Sequence, residues 1–442
     1  MRTRFLLTCA SLALAAIAAA ACASSDDGEV TQPEQGPPTV LPDAGTTEAA
    51  ADAAPDVEPE LPRCSAAGWC KTSLPDSDLV MKDIWPLRDR AFAVAESATI
   101  GIKVLEWDEA TDGWKYIDDG TQNAIGFGKY VGSVWAPSAD EVYYAVAPGT
   151  IYRGKRPVPP ATAWEWTRQR LEDNSHKGEP AHDPNHDHGS PTYGLRKSNY
   201  PALGVWGTGT DDVYAWYSNT IFRWKSDDGG APAWVAEYVA DDHDGEDEHL
   251  FFLSAGGSRG DVWFSGARDR GDAFTSGNTY NCAVAVRRTS ESYRRIADGV
   301  ASTDLAHPCT ERTGFLHVGG PAGWLTDIQA AGTDRVVALK GTRHVARISL
   351  EDGNYAVDFS NVPTREPATL YSLWWAPENV WLSGWGIILR GNDLVGDAGA
   401  YDVSTISLTG APLATPMYRI RGTESTNLWA IGERYALHKT TP

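Results

Sequence analysis

Seven times along the chain a marker residue, aromatic or apolar in most copies, is followed about eight positions later by a second one, and two further strand-like runs come next. The pairs are Trp85 with Phe92, Trp135 with Tyr143, Trp206 with Tyr214, Ala255 with Trp263, Gln329 with Val337, Leu373 with Trp381, and Arg421 with Trp429. Between the partners lie turn formers such as Ala136-Pro137-Ser138-Ala139-Asp140 and Gly207-Thr208-Gly209-Thr210-Asp211-Asp212. Glycine accepts positive φ, and Asp, Asn and Ser hydrogen-bond nearby backbone, so each pair predicts a tight β-hairpin.

A third run is rich in β-branched and aromatic residues: around Val104, Ile151, Ile221, Val284, Val345, Ile388 and Leu437. The fourth run carries one aromatic marker, at Trp114, Trp166, Trp234, Tyr293, Tyr355 and Tyr401. The seventh unit stops after its third run, while an unclaimed fourth-run fragment, Gly68-Trp69-Cys70-Lys71, stands at the start of the repeat region. Units of about 45 residues with four short strands are the spacing of a β-propeller. The fold expected is therefore all-β: a seven-bladed propeller of four-stranded antiparallel blades, its last blade closed by an N-terminal strand near Trp69. Closure of this kind pairs edges that would otherwise stay open. Packing between blades then accounts for most of the 18 tryptophans.

Three segments follow from composition. Arg2 and Arg4 precede an apolar run from Phe5 to Ala21, too short for a bilayer span of about 20 residues, and residues 1–21 read as an export signal. Residues 22–62 hold ten acidic side chains and no Lys, Arg or aromatic residue, so this stretch reads as a disordered tether. Residues 63–442 are the propeller, with 36 basic and 49 acidic side chains. That balance disfavours nucleic-acid phosphates and anionic lipid surfaces as partners.

The wording Val205-Trp206-Gly207, Asp212-Val213-Tyr214-Ala215, Ile221-Phe222-Arg223-Trp224 and Trp234, echoed in Ser133-Val134-Trp135-Ala136 and Asn379-Val380-Trp381-Leu382, resembles the repeats of propeller lipoproteins common in myxobacteria and their relatives. The resemblance covers most of residues 63–442 and implies the fold and a surface location, with no catalytic residue to carry over. Ala19-Ala20-Ala21-Cys22 is likewise similar to a bacterial lipobox, although Ala19 stands where Leu is usual. It implies that Cys22 is acylated and becomes the first residue of an outer-membrane or cell-surface lipoprotein, held through its acyl chains. Cleavage after an Ala-x-Ala as a plain secretory signal is the alternative. With Cys9 leaving in the signal and Cys22 taking lipid, four cysteines remain in an oxidising setting. The economical disulfides are Cys64 with Cys70 and Cys282 with Cys309; metal binding by these thiols is the rival, without a Cys-x-x-Cys spacing.

In a propeller, the loops from a fourth strand to the next first strand share one face with the loops between strands two and three. The long insertions, 172–201, 241–250, 298–323 and 267–281, all fall there. The first contains His176, His182, His186 and His188 with Asp183 and Asp187 between them, a donor set suited to Zn or Cu. The second is dense in hard oxygens, Asp242 and Asp244 among them, and suits Ca. A solvated polar loop is the competing reading of both. No Gly-x-Ser-x-Gly, phosphate loop or His-Glu-x-x-His occurs, and the Ser-x-Asp-x-Gly-x-Thr-Trp box of sialidase-type propellers is not intact. The function expected is a lipid-anchored, surface-displayed binding or assembly module that presents its loop-rich face to protein or glycan. The alternative is a metal-assisted hydrolase or lyase using the same face.

Overall fold

Short runs rich in apolar and β-branched residues, punctuated by Gly and Asp turns, build seven antiparallel sheets of four strands each, the inner strands buried on both faces and the outermost strand more exposed. In the computed structural model the described residues are 63–441, leaving out 125–129, 175–200, 227–229, 241–247, 271–279, 291, 303, 305–306, 320–322, 342, 364–368, 378, 392–399 and 409–412. We call the strands of a blade a to d in chain order. The a-strands are Val80–Pro86, Val131–Ser138, Leu203–Gly209, Glu248–Ser258, Leu325–Ala330, Leu370–Ala376 and Met417–Glu424. Each packs against the a-strands of the two neighbouring blades, and the seven close into a ring. The seven-bladed propeller is thus the fold.

The last blade combines Met417–Glu424, Asn427–Gly432 and Tyr435–Lys439 with the N-terminal strand Trp69–Lys71 as its d-strand. Trp69 pairs with Lys439, Cys70 with His438 and Lys71 with Leu437. Thr72 extends the seam, donating from its N–H (3.0 Å) and its hydroxyl (2.8 Å) to the Ala436 carbonyl. Gly68, at φ 80°, turns the chain into this strand, a conformation a side chain would disfavour. Cys64 and Cys70 form the expected disulfide across that turn.

The aromatic markers hold neighbouring blades together. The d-strand aromatic of one blade meets the b-strand aromatic of the preceding blade edge-on: Trp114 with Trp429, Trp234 with Tyr143, Tyr355 with Trp263, and Trp69 with Trp381. Such pairs contribute about 0.5–1.5 kcal/mol each beyond their area burial. Within a blade a second device recurs. An acid or amide two residues before the b-strand aromatic holds a c-strand cation, and that cation lies against the ring: Glu141, Tyr143 and Arg153; Asp261, Trp263 and Arg287; Asn379, Trp381 and Arg390. The tryptophans are therefore structural in the main, as their number and spacing imply.

Two hairpins pair one residue away from the sequence markers. Ala255 sits opposite Phe264, with Gly256 opposite Trp263, and Leu373 sits opposite Leu382, with Trp374 opposite Trp381. The cause is turn length. Ser258 pairs with Asp261 and Ala376 with Asn379, so two residues make each turn, and an uninterrupted antiparallel register then forces an odd spacing between partners. Blades 3 and 7 carry a bulge between the marker pair and the turn, which restores the spacing of eight.

Blade 4 is the outlier. Its strands Glu248–Ser258, Asp261–Arg270 and Tyr280–Thr289 run to 11, 10 and 10 residues. Both ends of the 267–281 excursion are therefore strand, with Arg268 paired to Cys282 and Asp269 to Asn281. The following insertion folds a two-stranded ribbon, Gly299–Ala301 with Cys309–Glu311. Among the described residues no helix is long and apolar enough to cross a membrane.

Candidate functional site

The a-strands share a local pattern. A small or polar residue is followed by a buried apolar one and then by a third position, the marker in five blades: Asp83-Ile84-Trp85, Ser133-Val134-Trp135, Gly204-Val205-Trp206, Ser254-Ala255-Gly256, Asp327-Ile328-Gln329, Ser372-Leu373-Trp374 and Arg419-Ile420-Arg421. Period-two alternation sends the middle residue into the blade interface. The residues on either side of it fall on the opposite face of the strand, and one per blade makes a layer around the axis.

The first layer stitches blades together. Asp83 accepts from the Val134 N–H of the next blade at 2.8 Å. Ser133 accepts from the Val205 N–H at 2.7 Å and donates to the Val205 carbonyl at 2.9 Å. Asp327 accepts from the Leu373 N–H at 3.1 Å, and Ser372 from the Ile420 N–H at 3.3 Å. Buried backbone donors facing a channel are satisfied in this way by the neighbouring blade.

Asp327 is the centre of the layer and is wholly buried. Ser254 Oγ donates to it at 3.1 Å and Ser372 Oγ at 2.8 Å, while Arg421 approaches as a fork, with both terminal nitrogens 2.9 Å from the two carboxylate oxygens. Burial alone would push this carboxyl up, but Arg421 and Arg419 outweigh it and hold Asp327 below the usual carboxylate range. Asp83 goes the other way. Its burial dominates, and Arg419 and Arg421 offset only part of the rise.

Between the layers lies a cavity of about 290 Å³, lined by residues of all seven blades. Its walls include Trp85, Trp206, Trp216 and Trp374, and its polar rim includes Asp83, Arg419, Arg421 and Thr423. Pro86, Gly257, Ala330 and Thr423 place it toward the turns that join strands a and b. That end of the channel is opposite the face on which the insertions lie, so this site is not on the face to which the sequence points.

Three polar groups at the cavity lack hydrogen bonds. Asp83 Oδ1 and Trp216 Nε1 are buried without a hydrogen bond. Arg419 is 8% exposed; its Nε lies 3.2 Å from Asp83 Oδ1 and its Nη1 3.7 Å from Asp327 Oδ2, and neither contact has hydrogen-bond alignment. Gly204 makes room for Trp216: a Cβ there would stand 2.1 Å from the indole. Two other lining residues stand out in the sequence, since blades 5 and 7 put Gln329 and Arg421 at the marker position where three blades put tryptophan.

On the insertion face, Cys282 and Cys309 form the expected disulfide and tie the ribbon to the c-strand of blade 4. Beside it Asp298, 1% exposed, accepts a two-bond fork from fully buried Arg268 at 3.0 Å each, with Arg295 at 2.6 Å. Burial would raise this carboxyl, and the arginines more than reverse it, so it is held low. A second cavity of about 660 Å³ lies between the d-strands of blades 4 and 5, lined by Arg294, Arg295, Arg312 and Phe315. Arg295 and Arg312 reach Asp298 and pack over Phe315. His176, His182, His186, His188, Asp242, Asp244 and Cys22 lie outside the described residues. Among the described residues no three His, Cys, Asp or Glu side chains form a metal-holding group.

A seven-bladed ring closed by its N-terminal strand, with one polar and aromatic cavity on its axis, is the class of protein that these features define. No protein-family model matches the chain, and no curated protein matches its sequence. Solved structures align with the chain, and the first of them shares its fold. YCF48 bound to D1 peptide aligns with a TM-score of 0.52 at 12% identity, over 86% of this chain and 98% of that one. YCF48 from Cyanidioschyzon merolae aligns with a TM-score of 0.49 at 13% identity, over 85% of this chain and 99% of that one. The β-propeller domain of Myceliophteria thermophila Cps50 (Swd1) aligns with a TM-score of 0.47 at 8% identity, over 82% and 98% of the respective chains.

Proposed function

We propose that the chain is a lipid-anchored propeller, displayed at an outer-membrane or cell surface, that acts as a binding or assembly module for a protein or glycan partner. The observation that carries the reading is the axial cavity, to which every blade contributes and where nearly buried Asp83 and Arg419 retain unused hydrogen-bonding capacity. The disulfide-tied ribbon at blade 4, with Val300 exposed on it, supports a broader docking surface on the opposite face. YCF48, which has the same fold, was solved with D1 peptide bound, which supports the capacity of such a ring to take a peptide. Cys22 would supply the anchor and the acidic tether the reach.

Photo-crosslinking residues placed at Thr423, Val300 and, as a control, outer-strand Glu165 test this in intact cells. A discrete adduct from Thr423 or Val300 and none from Glu165 is expected. Absence of adducts at all three positions overturns the binding role. Metabolic labelling with a palmitate analogue tests the anchor: incorporation is expected in the native chain and lost in Cys22→Ser, and equal labelling of both excludes acylation at Cys22.

A further inference from the structure

Resting on the channel as a binding site, we infer that its cavity takes a neutral saccharide ring, held by Asp83, Arg419 and Trp216 and stacked against Trp85 or Trp206. Three features of the cavity lead there. Buried polar atoms without a hydrogen bond are rare, because each forfeits bonds made in water, and here two, Asp83 Oδ1 and Trp216 Nε1, border one cavity beside the Arg419 guanidinium, which meets Asp83 by charge without hydrogen-bond alignment. They are one acceptor, Asp83 Oδ1, and two donors, the Arg419 guanidinium and the Trp216 indole N–H. The acceptor and the guanidinium lie side by side, 3.2 Å apart. Adjacent hydroxyls on a sugar match that arrangement, one donating to the carboxylate while its neighbour accepts from the arginine.

Charge excludes a strongly ionic occupant. Asp83, Arg419 and Arg421 line the cavity, and buried Asp327 behind it neutralises Arg421 in a closed fork, which leaves Asp83 and Arg419 to balance one another. An added carboxylate would stand against Asp83 and an added ammonium against Arg419. The walls suit the other half of a sugar. Trp85 and Trp206 are half-buried, leaving ring surface at the cavity against which an apolar C–H face can lie. A volume of about 290 Å³ is at the lower end of ligand pockets, which run from about 300 to 1,000 Å³, so one ring of a longer glycan enters rather than a folded peptide.

The test is calorimetric titration of the full chain with the methyl glycosides of glucose, galactose and mannose and with N-acetylglucosamine, alongside acetyl-glutamine amide, which also pairs a donor with an acceptor. Saturable binding of at least one sugar is expected. Asp83→Asn and Trp206→Leu should each weaken it about tenfold or more, the loss of one hydrogen bond to a charged group or one stacking face, and Glu165→Ala should leave it unchanged. Trp206→Phe, which keeps an aromatic face, serves if Trp206→Leu does not fold, and should bind more tightly than Asp83→Asn. The inference is overturned if no sugar binds, if the amide binds and the sugars do not, or if crystals soaked in the sugars show only ordered water at Asp83 and Arg419. Failure here with Thr423 adducts intact leaves the binding module standing; sugar binding without adducts has the reverse meaning.

Discussion

The Trp69 indole N–H donates to Ser404 Oγ at 2.8 Å, joining positions 335 residues apart. Trp69 is wholly buried, pairs through its backbone with Lys439 and meets Trp381 edge-on. Replacing it with Ala should cost about 3–5 kcal/mol, as for other buried tryptophans. Deleting 63–75 should cost more, since the Thr72 bonds to Ala436 and the bond from Trp114 Nε1 to Thr72 go with it. Thermal unfolding followed by circular dichroism reads both variants. Unchanged melting in the deletion would mean that this strand does not close the ring.

Asp327 is the hub of the axial layer, and removing one member of a buried charge pair strands the other. Asp327→Ala should therefore destabilise the protein by about 3–5 kcal/mol, and Asp327→Asn by less. Combining Asp327→Asn with Arg421→Gln should cost less than the sum of the single changes, because the two side chains share one fork. Urea titrations of the four proteins give the coupling directly. Strict additivity would contradict the geometry.

Stability should fall as pH drops from about 6.5 to about 4, through His438. This ring stacks on Trp429 at 4.1 Å and 9°, and burial pushes its pKa down to about 4 from an ordinary 6.5. Below 6.5 the unfolded chain binds a proton that the folded chain refuses, so the unfolded state gains. Asp327 and Asp298, held low when folded, act in the same direction at still lower pH: their stabilisation is complete above the ordinary 3.8 and is lost as pH falls through the folded values. His438→Gln should flatten the upper part of the curve only. A slope between 6.5 and 4 that is unchanged in this variant would remove His438 as its source.

Reducing the Cys282–Cys309 bond should loosen a part of the molecule rather than the whole. The ribbon Gly299–Ala301 with Cys309–Glu311 is held by that bond, by its own pairing and by Asp298 with its arginines. Hydrogen exchange at 299–311 should rise after reduction while the a-strands keep their protection. Gly299→Ala should mimic the effect, because a Cβ there would stand 2.5 Å from Cys309 Sγ and 2.7 Å from Cys282 Sγ. Loosening that spreads to the a-strands would show the ribbon to be part of the ring's own support.

Blade number, strand order and the seam were readable because each rests on a local rule: a turn former after a strand run, an aromatic every blade, and an orphan fourth run at the other end. Register in blades 4 and 6 was not, since it hangs on whether a bulge precedes the turn, and a bulge leaves no fixed residue type. The axial site was half visible. Arg421 and Gln329 break the marker pattern in plain sight, but Arg421 reaches Asp327 across 94 positions, and no spacing in one sequence reports such a meeting. Trp216 is not a marker of the repeat, and its access to the cavity depends on the missing side chain of Gly204.

Closure of the ring by Trp69–Lys71 also sets an order of events. A chain made from its N-terminus produces this strand before any other described one, yet its partner, Tyr435–Lys439, comes last among them. Blades 1 to 6 can form from local contacts as they emerge, while the joint waits for an encounter between segments some 364 positions apart. The final step is therefore a single long-range latch. Until it is made, the Trp381 face of blade 6 and the Trp107 and Trp114 face of blade 1 are exposed together, and that interval is when the protein is most open to mispairing with another copy of itself.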